Sequence, residues 1–367
     1  MKRAAAPAPT PRELGFRHPA EWEPHEATWL GWPHNRSDWP GKFAPIPWVY
    51  GEITRHIAPG ERVRILVNDR THESSAHRFL ARVGVDLARI EFFRFPTDRG
   101  WMRDIGPLFV KRGAPPGTPD RSAGETAIAG FRFTAWAKYR NWKRDAKIPG
   151  LVARRLGKRI FIPEFGGRRV VLEGGSIDLN GRGTLLTTEE CLLDATTQAR
   201  NPGMSRADIE SVVHEYLGAS NVLWLGKGIA GDDTHGHVDD LCRFVNPTTA
   251  VLCEEKNPSD ANYATLNENR ERMQGMRLED GSRIQVVPLP MPAPVVFDGQ
   301  RLPASYANFY ISNAAVLVPT FNDPNDRIAL GVLAELMRDR PVIGIHAVDL
   351  VWGLGTLHCL THEQPHG

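Results

Sequence analysis

Long apolar runs are missing from this chain of 367 residues, since no stretch approaches the roughly 18 consecutive apolar residues of a membrane-spanning helix. An excess of charge of one sign is missing too: 45 lysines and arginines oppose 43 aspartates and glutamates, which leaves a net charge of only +2. The chain therefore has no global electrostatic field that attracts nucleic acid or a membrane surface. We accordingly predict neither a membrane nor a nucleic-acid partner.

Cysteine is scarce, and the four that occur, Cys191, Cys242, Cys253 and Cys359, are widely spaced. This spacing suits free thiols better than a disulfide framework, which predicts a reducing, cytoplasmic location. The start of the chain lacks the apolar core of about 7–15 residues that a signal peptide needs, because Ala and Pro alternate there. We predict a disordered N-terminal tail at residues 1–16.

Tryptophan and proline crowd residues 22–48. A strand is predicted at 26–30, followed by a proline-rich loop at 31–45 and a helix at 48–58. Tryptophans in a long loop usually anchor it to the core, and a lid that shapes a substrate pocket is the alternative.

A strand–turn–strand pattern with Asn and Gly in its turns recurs at a nearly constant spacing. It occupies residues 108–113, 177–186, 243–252 and 308–318, and its turn residues advance by 68, 66 and 67 positions. Helices with start and stop signals lie between these hairpins, and a strand follows each helix. The helices are predicted at 205–217, 259–275 and 326–340, and the strands at 222–225, 284–288 and 342–345.

A period near 67 residues leaves room for five units, each made of two strands, a helix and a strand. We therefore predict an α/β fold with one closed, radially repeated domain at residues 17–367. A doubly wound α/β sheet is the alternative, but a parallel sheet has no use for repeated tight turns.

Three polar clusters fall in register with this repeat. Asp104, Glu173 and His237 each precede the turn of their own hairpin by eight or nine residues. We therefore expect them on equivalent strands. In a radial arrangement such strands converge on the axis, so the three residues are predicted to form one site.

The segment 235–239 allows two interpretations. Alternation along a strand would put His235, His237 and Asp239 on one face, as in a metal site. The other interpretation is a histidine that acts as general acid and base beside a cation-binding carboxylate. The chain offers no third metal ligand of comparable strength, so we predict no metal.

Cys359 follows two closely spaced glycines, Gly353 and Gly355, near the end of the chain. An inert core thiol is the ordinary interpretation of a free cysteine. The glycines let the backbone approach closely, which a packed strand does not require, and this favours a reactive nucleophile. The other three cysteines lie in apolar strand patterns and are interpreted as core residues.

Residues 132–169 hold twelve lysines and arginines against only Asp145 and Glu164, with aromatic residues between them. A nucleic-acid patch is one interpretation of such a run. The ordinary interpretation, which we prefer, is a solvated surface.

Five motifs in order resemble the agmatine deiminases, in the bacterial peptidyl-arginine deiminase-like branch of the guanidino-group-modifying enzymes. The resemblance covers residues 21–365 and rests on the segments 29–40, 101–104, 173–175, 231–239 and 358–361. It implies a five-bladed α/β propeller (pentein) of repeated ββαβ units with pseudo-fivefold symmetry. One departure is the approach to the cysteine, where Trp352 and Leu354 interrupt the family's run of glycines.

The resemblance implies hydrolysis of agmatine to N-carbamoylputrescine and ammonia, without a cofactor or metal. Cys359 would attack the guanidinium carbon, His237 would act as acid and base, and Glu173 would orient His237. The implied substrate-binding residues are Trp101, Asp104, Asp239, Asp233 and Trp32. The implied partner is a small cationic guanidine, and homo-oligomerisation is left open.

Arginine or peptidyl-arginine is the alternative substrate. A metal-dependent amidohydrolase and a propeller that only binds cations are the alternative functions. The acidic residues within 232–240 favour a dication over zwitterionic arginine. Arg103 is expected to face away from the substrate, whereas Arg243 shares the predicted strand face of Asp239 and could receive a carboxylate.

Overall fold

The computed structural model describes residues 8–113 and 124–367 and has a mixed α/β fold. Its main strands form five sheets, and each sheet combines an antiparallel pair with a parallel pair. In hydrogen-bonded order the strands are Thr361–Pro365, His25–Gly31, Arg62–Leu66 and Ile90–Phe93 in the first sheet; Leu108–Arg112, Glu125–Ala129 and Ile160–Phe161 in the second; Asp178–Leu179, Thr184–Thr188 and Asn221–Leu225 in the third; Cys242–Asn246, Thr249–Glu254 and Gln285–Pro290 in the fourth; and Tyr310–Ile311, Val316–Thr320 and Val342–His346 in the fifth.

Two small hairpins accompany the sheets, and helices connect the parallel strands of each sheet. The hairpins pair Glu164–Phe165 with Arg168–Arg169 and Val296–Phe297 with Gln300–Arg301. The α-helices are α1 (Ile46–Ile57), α2 (Arg70–Arg82), α3 (Met102–Ile105), α4 (Ile148–Leu156), α5 (Glu189–Leu193), α6 (Arg206–Leu217), α7 (Tyr263–Gln274), α8 (Pro324–Leu336) and α9 (Leu357–Leu360).

Local sequence signals account for the bounds of the long helices. Ser205 and Asp208 form a reciprocal capping box at the start of α6, and Gly218 ends that helix with a left-handed φ of 73°. Asp323 and Asp326 form the same box at the start of α8. These caps satisfy backbone N–H and C=O groups that a helix end would otherwise leave unpaired.

The last strand joins the two ends of the chain. Thr361–Pro365 pairs antiparallel with His25–Gly31, so that His362 lies opposite Trp29 and Thr361 opposite Leu30. The fifth hairpin of the repeat is therefore assembled from strands that are far apart in sequence. Because α9 directly precedes this strand, the pairing also fixes the position of Cys359.

The hairpins predicted at 177–186, 243–252 and 308–318, the helices and the following strands are confirmed, with helix bounds displaced by up to about one turn. The strand at 108–112 pairs with Glu125–Ala129, so the connection predicted at Gly113 is longer and includes residues outside the described ones. The predicted placement of the polar clusters on strands is wrong. Asp104 lies in α3, while Glu173 and His237 each directly precede a single 3₁₀ turn, Gly174–Ser176 and Val238–Asp240 respectively. Gly and Asp, which dominate these segments, disfavour strand structure, and each turn leads into the first strand of its hairpin. Because each of these segments directly precedes the first strand of its hairpin, the three polar residues keep their spacing from the hairpin turns.

Part of the predicted N-terminal tail packs against the protein. Phe16 is buried, with its ring edge-on to that of Phe161 at 5.8 Å, and Thr10 Oγ1 donates a 2.8 Å hydrogen bond to Glu215 of α6. The predicted tail at 1–16 is therefore too long, because these contacts hold residues 10–16. Residues 1–7 lie outside the described residues.

The loop tryptophan Trp39 anchors its loop to the core, as predicted. It is buried, and its Nε1 donates a 2.8 Å hydrogen bond to the carbonyl oxygen of Leu350. This contact links the long loop after the first strand to the segment that leads into α9. Within residues 8–113 and 124–367, no helix combines the length and the apolar character that crossing a bilayer requires.

Candidate active site

Cys359 lies in α9 and its side chain faces a largely buried cavity. Its Sγ accepts a 3.2 Å hydrogen bond from Asn308 Nδ2 and lies 3.8 Å from Asp239 Oδ2. The preceding loop is pressed against the thiol, because a Cβ on Gly355 would come within 3.1 Å of Sγ. A glycine at position 355 therefore makes room for the thiol.

Burial raises the pKa of the Cys359 thiol well above its ordinary value. The negative charges of Asp239, Asp240 and Asp104 raise it further, since they disfavour a thiolate beside them. The thiol is therefore neutral in the free protein at neutral pH.

Asn308 holds α9 in place, and the sequence analysis missed it. Its Oδ1 accepts hydrogen bonds from Thr356 Oγ1 at 2.8 Å and from the His358 N–H at 3.1 Å. Its Nδ2 donates to Cys359 Sγ and, at 3.0 Å, to Asp240 Oδ1. Asn308 follows Asp240 by 68 residues, about one repeat length, so the register of the repeat is a signal that could have found it.

His237 faces three carboxylates. Its Nδ1 lies 3.9 Å from Asp104 Oδ1 and 3.9 Å from Asp239 Oδ1, and its Nε2 lies 3.9 Å from Glu173 Oε2. Burial disfavours the imidazolium, but Asp104, Cys191 and Glu173 outweigh burial and raise the pKa of His237 well above its ordinary value. The ring is therefore protonated at neutral pH and can donate a proton.

Asp104 and Asp239 are both held by fixed donors. Asp104 accepts a 3.0 Å hydrogen bond from the Gly175 N–H at Oδ1 and a 2.8 Å bond from Trp136 Nε1 at Oδ2. Asp239 accepts a 2.7 Å bond from His358 Nδ1 at Oδ2. Helix α3 and the turn Val238–Asp240 therefore deliver two carboxylates in defined orientations to the Nδ1 edge of His237.

The centre of the site contains buried polar atoms without hydrogen-bond partners among the described residues: Nδ1 and Nε2 of His237 and Oδ1 of Asp239. Such atoms are costly to bury, and they are found where function requires them. Gly175 leaves space beside them, because a Cβ there would lie 2.5 Å from His237 Nδ1 and 3.0 Å from Asp104 Oδ1. Asp239 Oδ1 can thus accept a hydrogen bond from an N–H donor of a small group, while the protonated His237 ring has N–H groups to donate.

Glu173 is fully buried and has Arg200 as its partner, a residue that the sequence analysis missed. Arg200 Nε lies 3.3 Å from both carboxylate oxygens of Glu173, and neither side chain is exposed. Burial raises the pKa of Glu173, but the charges of Arg200 and His237 outweigh burial and lower it. Glu173 is therefore ionised. Arg200 lies in the loop after α5, where its sequence context gives no signal.

Arg243 and Arg103 lie behind the site in a buried ion-pair network. Arg243 binds Glu21 Oε1 and Asp178 Oδ1, each at 3.0 Å, while Arg103 binds Glu21 Oε2 at 3.0 Å. His358 Nε2 also contacts Glu21 Oε2, at 2.8 Å. Arg103 faces away from the cavity, as predicted. The expectation that Arg243 could receive a substrate carboxylate is wrong, because Arg243 is buried and already neutralised.

The cavity in front of Cys359 has a volume of about 90 Å³. Aromatic and charged residues from several segments line it: Asp38, Arg99, Trp101, Trp136, Tyr139 and Asp233. At its mouth Asp233 accepts a 2.7 Å hydrogen bond from Tyr139 OH and pairs with Lys138, and Asp38 pairs with Arg99. Trp101 and Asp233 thus line the cavity, and their role in substrate binding stays a prediction.

Trp32 and His235 do not face the cavity. Trp32 is buried in the core, with its ring edge-on to that of Tyr50 at 5.9 Å, so its predicted role in substrate binding is wrong. His235 has a left-handed φ of 65° and binds Asp194 through Nε2 at 2.9 Å. It therefore does not share a face with His237, because the segment turns here instead of continuing as a strand.

The acidic residues of 232–240 have different contacts. Asp232 shapes the turn by accepting hydrogen bonds from the backbone N–H groups of Thr234, Gly236 and His237. Asp240 is buried, and burial together with neighbouring carboxylates raises its pKa well above the ordinary value. Asp233 lines the cavity, and the charges of Asp239 and Asp240 act on Cys359. The preference of this acidic segment for a dication stays a prediction.

Two groups of potential metal ligands occur among the described residues, each with ligand atoms within 4.8 Å of one another. They are Glu173, Cys191 and His237, and Asp239, Asp240 and Cys359. Cys191 thus supplies the third ligand that the sequence analysis considered missing. A ligating imidazole must be neutral and a ligating thiol deprotonated, so the raised pKa values of His237 and Cys359 disfavour both sets.

A buried thiol, an imidazolium and paired carboxylates on a mixed α/β fold are typical of enzymes that modify guanidino groups. Residues 17–365 match the family model described as Porphyromonas-type peptidyl-arginine deiminase, so the chain belongs to that family. The agmatine deiminase of Stutzerimonas stutzeri is 34% identical over 97% of each chain, and that of Ectopseudomonas mendocina is 33% identical over 97% of each chain.

Solved structures give the same result. The agmatine deiminase of Enterococcus faecalis has a TM-score of 0.87 and 28% identity, over 98% of this chain and 99% of its own. A substrate-bound agmatine deiminase variant of C. jejuni has a TM-score of 0.81 and 26% identity, over 96% and 97% of the two chains. The resemblance drawn from the five motifs is confirmed.

Proposed function

We propose that this protein is an agmatine deiminase, which hydrolyses agmatine to N-carbamoylputrescine and ammonia with Cys359 as the nucleophile. The observation that carries the proposal is the meeting of the Cys359 thiol, the His237 imidazolium and the carboxylates of Asp104 and Asp239 around unpartnered polar atoms. A guanidinium is a planar cation that carboxylates bind through paired hydrogen bonds. Relatives that match along the whole chain carry the name agmatine deiminase, which supports this substrate.

Asp104 and Asp239 hold the guanidinium in this mechanism. Oδ2 of each carboxylate is bonded to a fixed donor, Trp136 Nε1 or His358 Nδ1, and Oδ1 faces the space beside His237. Oδ1 of Asp239 has no other partner among the described residues, and Oδ1 of Asp104 also accepts from the Gly175 N–H. Such preorganised acceptors position the guanidinium carbon without further reorganisation. Trp101 lies along the path from the cavity mouth to Cys359 and bounds the aliphatic chain of the substrate.

Substrate binding also activates the nucleophile. Burial and neighbouring carboxylates keep the Cys359 thiol protonated in the free protein. A bound cation offsets those negative charges and lowers the pKa of the thiol, so the proton leaves to solvent and the thiolate forms beside the guanidinium carbon. The thiolate is then present only when there is a substrate to attack.

The chemical steps use one cysteine and one histidine. The Cys359 thiolate forms a C–S bond to the guanidinium carbon; His237 donates its proton to a terminal nitrogen, and the C–N bond breaks to release ammonia. His237, now neutral, takes a proton from water, whose oxygen attacks the covalent thiouronium carbon. Cleavage of the C–S bond, with loss of the hydroxyl proton of the adduct to the ammonia or to solvent, releases N-carbamoylputrescine and returns the thiolate. The ionised Glu173, held by Arg200, stabilises the imidazolium throughout.

Cys359→Ala tests the covalent mechanism. The variant should release no ammonia from agmatine above background and should unfold at the wild-type temperature, because the change removes a single sulfur atom from a buried site. Ammonia release and thermal unfolding are the two measurements. Cys253→Ser is the matched control, since its thiol has the polar partner Ser305 Oγ at 3.3 Å, and it should keep most activity. A Cys359→Ala protein that turns over near the wild-type rate would exclude the mechanism.

The choice of agmatine is tested separately by comparing guanidines. We expect kcat/KM for agmatine to exceed that for free arginine and for an arginyl peptide by at least about a hundredfold, or about 2.7 kcal/mol. The reason lies at the cavity mouth: Arg99 and Lys138 are already paired with Asp38 and Asp233, which leaves no lining cation for a carboxylate among the described residues. A substrate ammonium can instead replace Lys138 on Asp233. Equal kcat/KM values for arginine and agmatine would be consistent with the deimination reaction but would reject agmatine as the preferred substrate.

The proposal includes a radial arrangement of the five sheets as the blades of an α/β propeller, in one catalytic domain at 17–367. Three observations support it: each sheet repeats the same pair of antiparallel and parallel contacts, the last strand pairs with the first sheet, and the site residues come from turns that lead into successive sheets.

Four free cysteines fit a reducing cytoplasm.

A further inference from the structure

A second cavity, of about 450 Å³, is lined by arginines and lies apart from the mouth of the candidate active site. It is formed by the Glu164–Phe165 and Arg168–Arg169 hairpin, by residues 132–134 and by residues 200–204. Four of its lining residues are arginines, namely Arg132, Arg168, Arg169 and Arg200, and none is acidic. We call this cavity the arginine pocket.

Three of these arginines have no acidic partner. Among the described residues, no carboxylate lies within ion-pair distance of Arg132, Arg168 or Arg169, and all three side chains are exposed. Arg206, by contrast, pairs with Glu189. The described part of the protein thus offers no paired carboxylate to these three arginines, whereas the fourth, Arg200, is paired with Glu173.

The guanidinium groups are nevertheless held in place. Arg168 Nη2 donates a 3.2 Å hydrogen bond to the carbonyl of Pro202, and Arg169 Nη2 donates a 2.9 Å bond to the carbonyl of Gly130. Arg132 lies over the ring of Trp142 at 5.4 Å. Each contact leaves other N–H donors of the guanidinium group available to a ligand. The arginine side chains are therefore partly ordered before a ligand binds.

The walls of the pocket also contact the candidate active site. Arg200 is buried and binds Glu173, the carboxylate beside His237. Thr134 carries a buried Oγ1 without a hydrogen-bond partner among the described residues, and it leads into a turn with left-handed φ values of 50°, 57° and 52°. That turn delivers Trp136 to Asp104.

We propose that the arginine pocket binds a small organic anion with at least two negative charges, such as a phosphate or pyrophosphate ester. A guanidinium group can bind two phosphate oxygens through a pair of N–H donors. At least two guanidinium groups at separate points of this pocket have no carboxylate partner among the described residues. Phe165 and Met204 add apolar walls, which suits an organic group attached to the anion. The concave shape favours a small molecule over a nucleic-acid strand. The proposal does not depend on the agmatine reaction.

Inorganic pyrophosphate and inorganic phosphate serve as probes, with binding to the full-length protein measured by calorimetry in low-salt buffer. We expect pyrophosphate to bind at least about tenfold more tightly than phosphate, because its two groups can each engage an arginine fork. The double substitution Arg168→Gln and Arg169→Gln should weaken pyrophosphate binding at least about tenfold, and Arg132→Gln should weaken it independently. All three positions are exposed, so the variants should keep the wild-type unfolding temperature.

Arg154→Gln is the matched control, since Arg154 is an exposed residue of α4 in the same basic run and does not line the pocket. It should leave pyrophosphate affinity within about twofold of wild type. Absence of pyrophosphate binding to the wild-type protein, or equal losses in the double variant and in Arg154→Gln, would overturn the proposal. A single-stranded oligonucleotide that displaces pyrophosphate and depends equally on Arg154 would replace it with an extended nucleic-acid surface.

Discussion

Gly175 occupies the point at which the candidate active site is most crowded. A Cβ at this position would lie 2.5 Å from His237 Nδ1, 2.9 Å from Asp239 Oδ2 and 3.0 Å from Asp104 Oδ1. Gly175→Ala should therefore displace the histidine or a carboxylate, and kcat/KM for agmatine should fall by about a hundredfold or more. Steady-state ammonia release measures this effect.

Gly150→Ala provides the matched control for that change. Gly150 lies within α4, and a Cβ there would meet no heavy atom within 4 Å. Activity should be unchanged, and the free energy of unfolding should rise by about 0.4–1 kcal/mol because alanine restricts the unfolded chain. If Gly175→Ala and Gly150→Ala behave alike in turnover, close packing at position 175 has no catalytic importance.

The protonation states of Cys359 and His237 are also set by individual contacts. Burial and then carboxylates raise the pKa of Cys359, and carboxylates raise that of His237 against the effect of burial, so the free site holds a neutral thiol beside an imidazolium. The sequence identifies both residues through their motifs. It does not identify Arg200, because only the fold brings Glu173 to this residue, and it points to Asn308 only through the repeat spacing from Asp240.

At the scale of elements, the last strand makes stability depend on pH. Thr361–Pro365 is fully buried, and His362 within it donates a 2.8 Å hydrogen bond from Nε2 to the carbonyl of Pro107. Burial lowers the pKa of His362 to about 3, whereas an unfolded chain has the ordinary value of 6.5. Between these values the unfolded state binds one more proton than the folded state. Stability is therefore lost as the pH falls below about 6.5, by up to about 1.4 kcal/mol per pH unit from this group.

His362→Gln isolates this contribution, because glutamine can still donate to Pro107 and does not titrate. The free energy of unfolding, measured with urea at pH 7, 5.5 and 4.5, should fall more steeply in the wild-type protein than in the variant. Other histidines titrate in both proteins and cancel in the difference. A difference that stays constant with pH would show that the folded protein protonates His362 as readily as the unfolded chain does.

Elements with local signals could be predicted from sequence, and those without could not. The capping residues Ser205 and Asp208 and the turn residues near 181, 246 and 313 predict α6 and the hairpins close to where they lie. The short turns that carry Glu173 and His237 lack such signals, since a single 3₁₀ turn has neither strand nor helix periodicity. Alternation along an assumed strand therefore misplaced His235 and Arg243, although the repeat correctly brought the clusters together.

The loop before Cys359 shows the same limit. Leu354 stands where the resembled family has a glycine, and it adopts a left-handed φ of 67° while lining the cavity. The sequence indicates a departure at this point, but it does not reveal that the glycine-like backbone is retained. Trp39, which binds the carbonyl of Leu350, helps to hold the loop in this conformation.

At the scale of the whole molecule, buried charges connect the two ends of the chain. Glu21 near the start binds Arg103, Arg243 and His358, and Glu363 near the end binds Arg103. The network lies directly behind the candidate active site, so the orientation of Asp239 depends on it through His358.

Removal of residues 361–367 should therefore unfold the protein, even though every proposed catalytic residue remains. The deletion removes the strand opposite His25–Gly31 and leaves Arg103 with one carboxylate in a buried environment, and breaking a buried ion pair costs about 3–5 kcal/mol on its own. That is a large part of a typical total stability of about 5–15 kcal/mol. Thermal unfolding followed by circular dichroism should show no cooperative transition. Removal of residues 366–367 alone, which are exposed, should keep one, and Cys359→Ala should keep it at the wild-type temperature. A 361–367 deletion that unfolds cooperatively at the wild-type temperature would mean that the first sheet does not need its terminal strand, and that the ends of the chain need not be joined to form the fold.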